Sequence, residues 1–256
     1  MKAFIRFLTL EEITLSFPRG NLSSRIFFSK ELNEEMELLI YLPANYSELQ
    51  KYSILITQDG RDYFQMGRIG RLADELLFNK KIENLIIVGI PYKSVDDRRI
   101  KYHPDGKQNK AYIRFLAHEL VPYLDGEFST YQVGYGRALA GDSLGATVSL
   151  MTALLYPHTF GKVILQSPLV NHKVLQAAAS LSQDQLLQIY HVIGKKETEV
   201  KTSNGEILNF LTPNRELAKI FRSKKLDYYY QEFDGNHTWT FWQPDLKVAV
   251  PHLFSL

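Results

Sequence analysis

The feature that most limits what this chain can fold into is a short turn, Gly141-Asp-Ser-Leu-Gly145. It follows the apolar run 138–141 and precedes a stretch in which Leu144, Val148, Met151 and Leu155 share one side ahead of Pro157. A serine on so tight a strand-to-helix turn is held in a strained backbone, and its neighbours two residues away must be small for the turn to close. The helix that begins there can aim the amide of Leu144 at a developing negative charge. Ser143 is therefore a candidate nucleophile, on a strand that feeds directly into a crossover helix.

The rest of the chain reads as the sheet such a turn requires. Short β-branched and apolar runs at 52–57, Leu85–Ile90, 138–141, Lys162–Gln166, 189–193 and 226–232 suit buried strands. Helical spacing lies between them: Ile69, Leu72, Leu76 and Leu77, then Tyr112, Phe115, Leu116 and Leu120 ahead of Pro122. Strand–helix alternation implies parallel strands with helices on both faces. Residues 25–28 and 36–42, flanking the polar stretch 30–35, look like an N-terminal antiparallel hairpin entering the sheet. The expected architecture is α/β: a mostly parallel central sheet in a three-layer αβα sandwich, with residues 1–256 as one domain. Residues 168–188 are less regular and are expected to give a helix and a loop over the carboxyl edge of the sheet, forming part of a pocket wall.

A serine hydroxyl needs a base. With the serine on this kind of turn, the partners follow in the order serine, acid, histidine. Of the seven histidines, His103 and His118 precede Ser143, and His191 falls inside an apolar strand. His237 follows the strand 226–232 through Phe233-Asp-Gly-Asn236 and stands before Trp239, Phe241 and Trp242, which makes it the candidate base. The orienting acid is expected on the loop Gly194-Lys-Lys-Glu-Thr-Glu199, with Glu197 first, Glu199 second, and Asp227 or Asp234 as fallbacks. The loop Thr57-Gln-Asp-Gly-Arg-Asp-Tyr-Phe64 is expected to add a second oxyanion donor, the amide of Gly60 or of Arg61. Arg98, Arg99, Tyr102 and His103, with Trp239 and Trp242, are candidate substrate contacts at the same edge.

Composition narrows the alternatives. The chain has no cysteine, so thiolate nucleophiles, disulfides and cysteine–zinc sites are excluded. Thirty basic against 28 acidic residues give no electrostatic footprint for nucleic acid. No run approaches the ~18 apolar residues of a membrane span. In MKAFIRFLTLEEITLS, Arg6, Glu11 and Glu12 argue against a signal peptide, so a cytoplasmic location is expected. Gly134-Tyr-Gly136 is not a dinucleotide fingerprint, and no P-loop, H-E-x-x-H or calcium-loop pattern occurs, so no cofactor and no metal are expected. The sequence leaves the oligomeric state open, a homodimer included.

With these residues in hand, the chain resembles the esterase family that includes esterase D and the enterochelin (ferric-enterobactin) esterases, within the α/β-hydrolase superfamily. The resemblance runs from about Met36 to Leu246. It is carried by Tyr41-Leu-Pro…Tyr46, Gln58-Asp-Gly60 with Tyr63-Phe64, and Val88-Gly-Ile90 followed by Arg98…Tyr102…Pro104. It continues through Ala140-Gly-Asp-Ser-Leu-Gly145, Gly194…Glu197 and Gly235-Asn-His237…Trp242…Leu246. It implies an α/β-hydrolase fold and cofactor-free hydrolysis of a small-molecule carboxylic ester, with Ser143, Glu197 and His237 as a triad. Lys101 and Asn236 depart from the siderophore esterases, which tend to carry an acidic residue and a glycine there. Thioester hydrolysis or acyl transfer, and a trilactone substrate, are the alternative chemistries for the same site. A binding protein that keeps the fold without turnover is the alternative of another class.

Overall fold

Every strand read from the sequence is present in the computed structural model, which describes residues 17–182 and 186–256. The N-terminal stretch weighed as a signal peptide, residues 1–16, lies outside them. A hairpin of β1 (Asn21–Ser29) and β2 (Glu34–Leu42) leads to β3 (Ser53–Gln58), α1 (Gly60–Gln65) and α2 (Ile69–Phe78). β4 (Leu85–Ile90) is followed by α3 (Val95–Tyr102), α4 (Asn109–Arg114) and α5 (Val121–Glu127), then β5 (Arg137–Asp142) by α6 (Leu144–Leu155). β6 (Lys162–Gln166) and α7 (His172–Ser180) precede β7 (Gln188–Gly194). The chain ends with a small ribbon, β8 (Val200–Lys201) and β9 (Ile207–Leu208), then α8 (Leu211–Arg222), β10 (Asp227–Phe233) and α9 (Trp239–Phe254).

Eight strands make one sheet in the order β1-β2-β4-β3-β5-β6-β7-β10. β1 pairs with β2, and β2 with β4, antiparallel; from β4 to β10 every pairing is parallel. Alternation along the strands supplies two cores. Ile54, Ile56, Leu139, Val163, Leu165 and Ile189 face one side, where residues of α3 to α8 cover them. Leu55, Ala138, Ala140, Ile164 and Val192 face the other, under α1, α2 and α9. Burial on both faces explains why the central strands read as continuous apolar runs. Because the strands of this sheet from β3 onward share one direction, their carboxyl ends and the loops that follow gather on one edge. Among the described residues, no helix is long and apolar enough to cross a membrane.

Two segments refine the sequence reading. The helical stretch read ahead of Pro122 runs on through it to Glu127. Residues Phe115–Leu120 form a π-turn, in which the Val121 N–H bonds to the Leu116 carbonyl five residues back. The wider turn relieves the clash between the proline ring and the preceding carbonyls, so the chain need not break. Of the described residues in 168–188, His172–Ser180 form the expected helix, α7, which packs inward. Val174 and Ala178 are buried, and α7 packs against α6 and α8. Among the segment's described residues, Leu169 lines the cavity described next.

Candidate active site

Ser143 has φ 53° and ψ −122°, outside both helical and extended backbone. Such a conformation costs roughly 1–3 kcal/mol and persists where its surroundings enforce it. Here the Ser143 N–H donates to the Gln166 carbonyl of the neighbouring strand at 2.9 Å, and the Ser143 carbonyl accepts from Thr147 N–H at 3.1 Å. The flanking glycines are a steric requirement. A Cβ on Gly141 would fall 2.1 Å from the Gly145 carbonyl carbon, and one on Gly145 would fall 2.9 Å from Asp59 Oδ2. Leu144 opens α6, and the first amides of a helix have no acceptor within it.

On the far side of β6, the loop after β7 turns back on itself and buries Glu197 completely. Its Oε1 accepts from the Gly194 N–H at 2.8 Å and from the Ser167 hydroxyl at 2.7 Å. Its Oε2 meets His237 Nδ1 at 2.6 Å. A carboxylate there accepts, so the ring carries its proton on Nδ1 and presents Nε2 as the basic nitrogen. Aromatic edges fix the ring plane: Phe210 at 4.6 Å and Trp242 at 4.8 Å between centroids. Trp242 Nε1 in turn donates to Ser167 Oγ at 3.1 Å, closing a chain from tryptophan to serine to glutamate to histidine. Glu199 and Asp227 are exposed, and Asp234 points to solvent against Lys196, so none of these three stands behind the ring.

Ser143, Leu144 and His237 line a single cavity of about 550 Å³ at the carboxyl edge of the sheet. Arg98, Arg99, Trp239 and Trp242, expected as substrate contacts, line it as well. Tyr102 and His103 do not. Tyr102 is buried beneath, its hydroxyl 3.5 Å from the Asp59 N–H, because α3 turns that face into the core. His103 caps the end of α3, and its Nδ1 accepts from the Asp105 N–H at 3.1 Å. Gly60 and Arg61 are not among the lining residues either. Gly60 is pressed on the Gly89–Ile90 backbone, and the Arg61 side chain swings out to Glu37. From that loop Asp62 and Met66 reach the cavity instead.

Several wall residues escaped the sequence reading: Asp62, Tyr92, Asp142, Phe210 and the ribbon residues Val200 to Ser203. The ribbon did carry a signal. Asn204-Gly205 sits between two short extended runs, Gly205 has φ 86°, and Thr202 N–H donates to the Glu206 carbonyl across the turn at 2.8 Å. Arg98 is held by Asp59 through Nε at 2.8 Å and Nη2 at 2.5 Å, and Nη2 also donates to the Asp142 carbonyl at 3.2 Å. Burial, and then the charge of Asp59, push the Asp62 carboxyl above the ordinary carboxylate range and the Asp142 carboxyl well above it. Among the described residues, no group of three or more His, Asp or Glu side chains is placed to hold a metal ion.

Comparison with known proteins agrees with this arrangement. The family described as "Putative esterase" matches residues 29–253. Uncharacterized protein YjcH of Bacillus subtilis (strain 168) is 57% identical over 231 residues, which is 90% of this chain and 96% of that protein. A ferulic acid esterase structure superposes with a TM-score of 0.76 at 17% identity, covering 92% of this chain and 98% of its own. The enterobactin esterase of Shigella flexneri superposes with a TM-score of 0.78 at 17% identity, covering 92% of this chain and 60% of its own. At such identities the structural likeness speaks for the fold: a large, mostly parallel sheet of the α/β-hydrolase kind.

Proposed function

The chain belongs to the "Putative esterase" family and is an ester hydrolase, and we propose that it cleaves small-molecule carboxylic esters through an acyl-enzyme on Ser143. Ser143 Oγ attacks the ester carbonyl carbon while His237 Nε2 takes the hydroxyl proton. Glu197 holds the ring by its Nδ1–H and stabilises the imidazolium that forms. The negative oxygen of the tetrahedral intermediate is met by the Leu144 N–H. Collapse expels the alcohol, which leaves with the proton from His237. Water then repeats the sequence on the acyl group and frees Ser143.

The observation that carries this reading is the buried Glu197 carboxylate 2.6 Å from His237 Nδ1, in a ring that shares its cavity with Ser143. A structural histidine would have no need of a desolvated carboxylate aligned behind it and an open cavity in front. The cavity draws on residues from the segments after β3 through those after β10, which supports one catalytic domain.

The test is direct. The purified protein should hydrolyse para-nitrophenyl acetate and be labelled by a fluorophosphonate at Ser143. Ser143→Ala should lose both while keeping the wild-type circular dichroism spectrum and melting temperature. Wild-type turnover by Ser143→Ala would defeat the mechanism.

A further inference from the structure

Among the described residues, two carboxyl groups on the cavity wall have no ion-pair partner. Asp142 directly precedes Ser143, is only 7% exposed, and its Oδ1 has no hydrogen-bond partner among the described residues. Asp62 lines the same cavity, where its Oδ2 accepts a long bond from the Tyr92 hydroxyl at 3.5 Å. The nearest guanidinium is already committed. Arg98 gives two N–H groups to Asp59 and a third contact to the Asp142 carbonyl, leaving both free carboxyls without an ion pair. Two further cations reach the cavity from elsewhere: Arg99, which faces Glu206 of the ribbon at 3.9 Å, and Lys201, an exposed residue of that ribbon.

Carboxyls held above their ordinary range by burial and by a like charge are acids waiting for a counter-charge. The rest of the wall suits the same guest. Tyr92, Phe210, Trp239 and Trp242 line the cavity, and aromatic faces attract cations. A neutral alkyl group would leave both carboxyls without a counter-charge, and a carboxylate would meet like charge. A protonated amine supplies both the N–H donors and the positive charge that the two acids lack.

We propose that this cavity selects esters bearing a protonated amine, bound by Asp62 and Asp142 while Ser143 attacks the carbonyl. The inference deepens the hydrolase reading and rests on it. It makes Asp62 and Asp142 specificity residues, which discriminate between substrates by charge.

Isosteric esters test it on the full-length enzyme. One pair puts the charge in the alcohol, dimethylaminoethyl acetate against isoamyl acetate. The other puts it in the acyl part, ethyl γ-dimethylaminobutyrate against ethyl isoheptanoate. β-Acetoxypropionate supplies an anion of similar shape. In at least one pair the amine should win in kcat/KM by about tenfold or more, the scale of one partly buried charge-assisted contact. Asp62→Asn and Asp142→Asn should each bring that ratio toward one, whereas Glu199→Gln, an exposed residue off the cavity, should leave it at the wild-type value. If Asp142→Asn fails to fold, Asp62→Asn alone decides. Wild-type ratios of one or less in both pairs, a preference for the anion, or ratios unmoved by the substitutions would overturn the inference. Hydrolysis without charge preference defeats this inference alone, whereas failure to hydrolyse any ester, para-nitrophenyl acetate included, defeats the hydrolase reading beneath it.

Discussion

Glu197 stands fully buried behind the His237 ring and takes its Nδ1–H at 2.6 Å, with its other oxygen tied to Gly194 N–H and Ser167 Oγ. Both oxygens are used as acceptors, so an amide whose oxygen kept the bonds from Gly194 and Ser167 would turn its NH2, a donor, toward His237 Nδ1. Glu197→Gln should lower kcat by about three to four orders of magnitude, since a histidine without its orienting acid adopts the wrong tautomer. Glu199→Gln should leave kcat within about twofold of wild type, as expected of an exposed surface charge. Steady-state kinetics on para-nitrophenyl acetate compare the two. Equal losses would remove Glu197 from the mechanism.

The elbow glycines make a second, contrasting pair. A Cβ at position 141 would lie 2.1 Å from backbone that cannot move without unwinding the start of α6. Gly141→Ala should therefore cost about 3 kcal/mol or more of stability, or prevent folding. At Gly126, in α5, a Cβ would meet nothing within 4 Å. Gly126→Ala should raise stability by about 0.5–1 kcal/mol, because alanine has less conformational freedom to lose on helix formation. Thermal melts monitored by circular dichroism would show the two shifts in opposite directions.

Asp59 and Arg98 offer a third test. Both are sequestered, with side chains 1% and 14% exposed, and they share two hydrogen bonds. Removing one partner strands the other, so Asp59→Asn should destabilise by about 3–5 kcal/mol. The double variant Asp59→Asn, Arg98→Gln should be more stable than Asp59→Asn alone. A double-mutant cycle in urea measures the coupling, and strictly additive losses would refute it.

What the sequence allowed to be read, and what it hid, divides along a physical line. Strands β4 and β6 begin and end where their apolar runs do, because strands buried on both faces have sharp compositional edges. Ser143 and His237 were legible because each is fixed by local context: a turn that only glycines can close, and a loop after a strand. Glu197 shared its loop with Glu199, and only the fold decides which of them the turn after Gly194 drives inward. The cavity wall was the least legible part. Asp62 and Asp142 are short polar residues whose burial depends on packing between elements distant in sequence, and no periodicity records that. The continuation of the helix through Pro122 was hidden for a related reason, since the π-turn that accommodates the proline leaves no compositional mark.

The last prediction concerns a histidine the mechanism does not use. His191, in the middle of β7, is completely buried. Asn214 spends its amide N–H groups on the carbonyls of Pro168 and Phe210, both at 2.8 Å, so its Oδ1 must accept from His191 Nε2–H at 2.7 Å. His191 Nδ1 is then an acceptor and receives the Tyr228 hydroxyl at 2.8 Å. Both nitrogens are satisfied in the neutral ring, and burial pushes the imidazole down from 6.5 to about 4. The folded state thus binds fewer protons than the unfolded chain between those two values. Its contribution to stability is complete above about pH 6.5 and is lost as the pH falls toward about 4, a change of roughly 3 kcal/mol. In His191→Gln that titration is gone. Whatever the substitution costs at neutral pH, the stability gap between wild type and variant should shrink by roughly 3 kcal/mol from about pH 7 to about pH 4. Urea denaturation at a series of pH values measures the gap directly, and a gap that stays constant across that range would show that His191 does not titrate as its hydrogen bonds require.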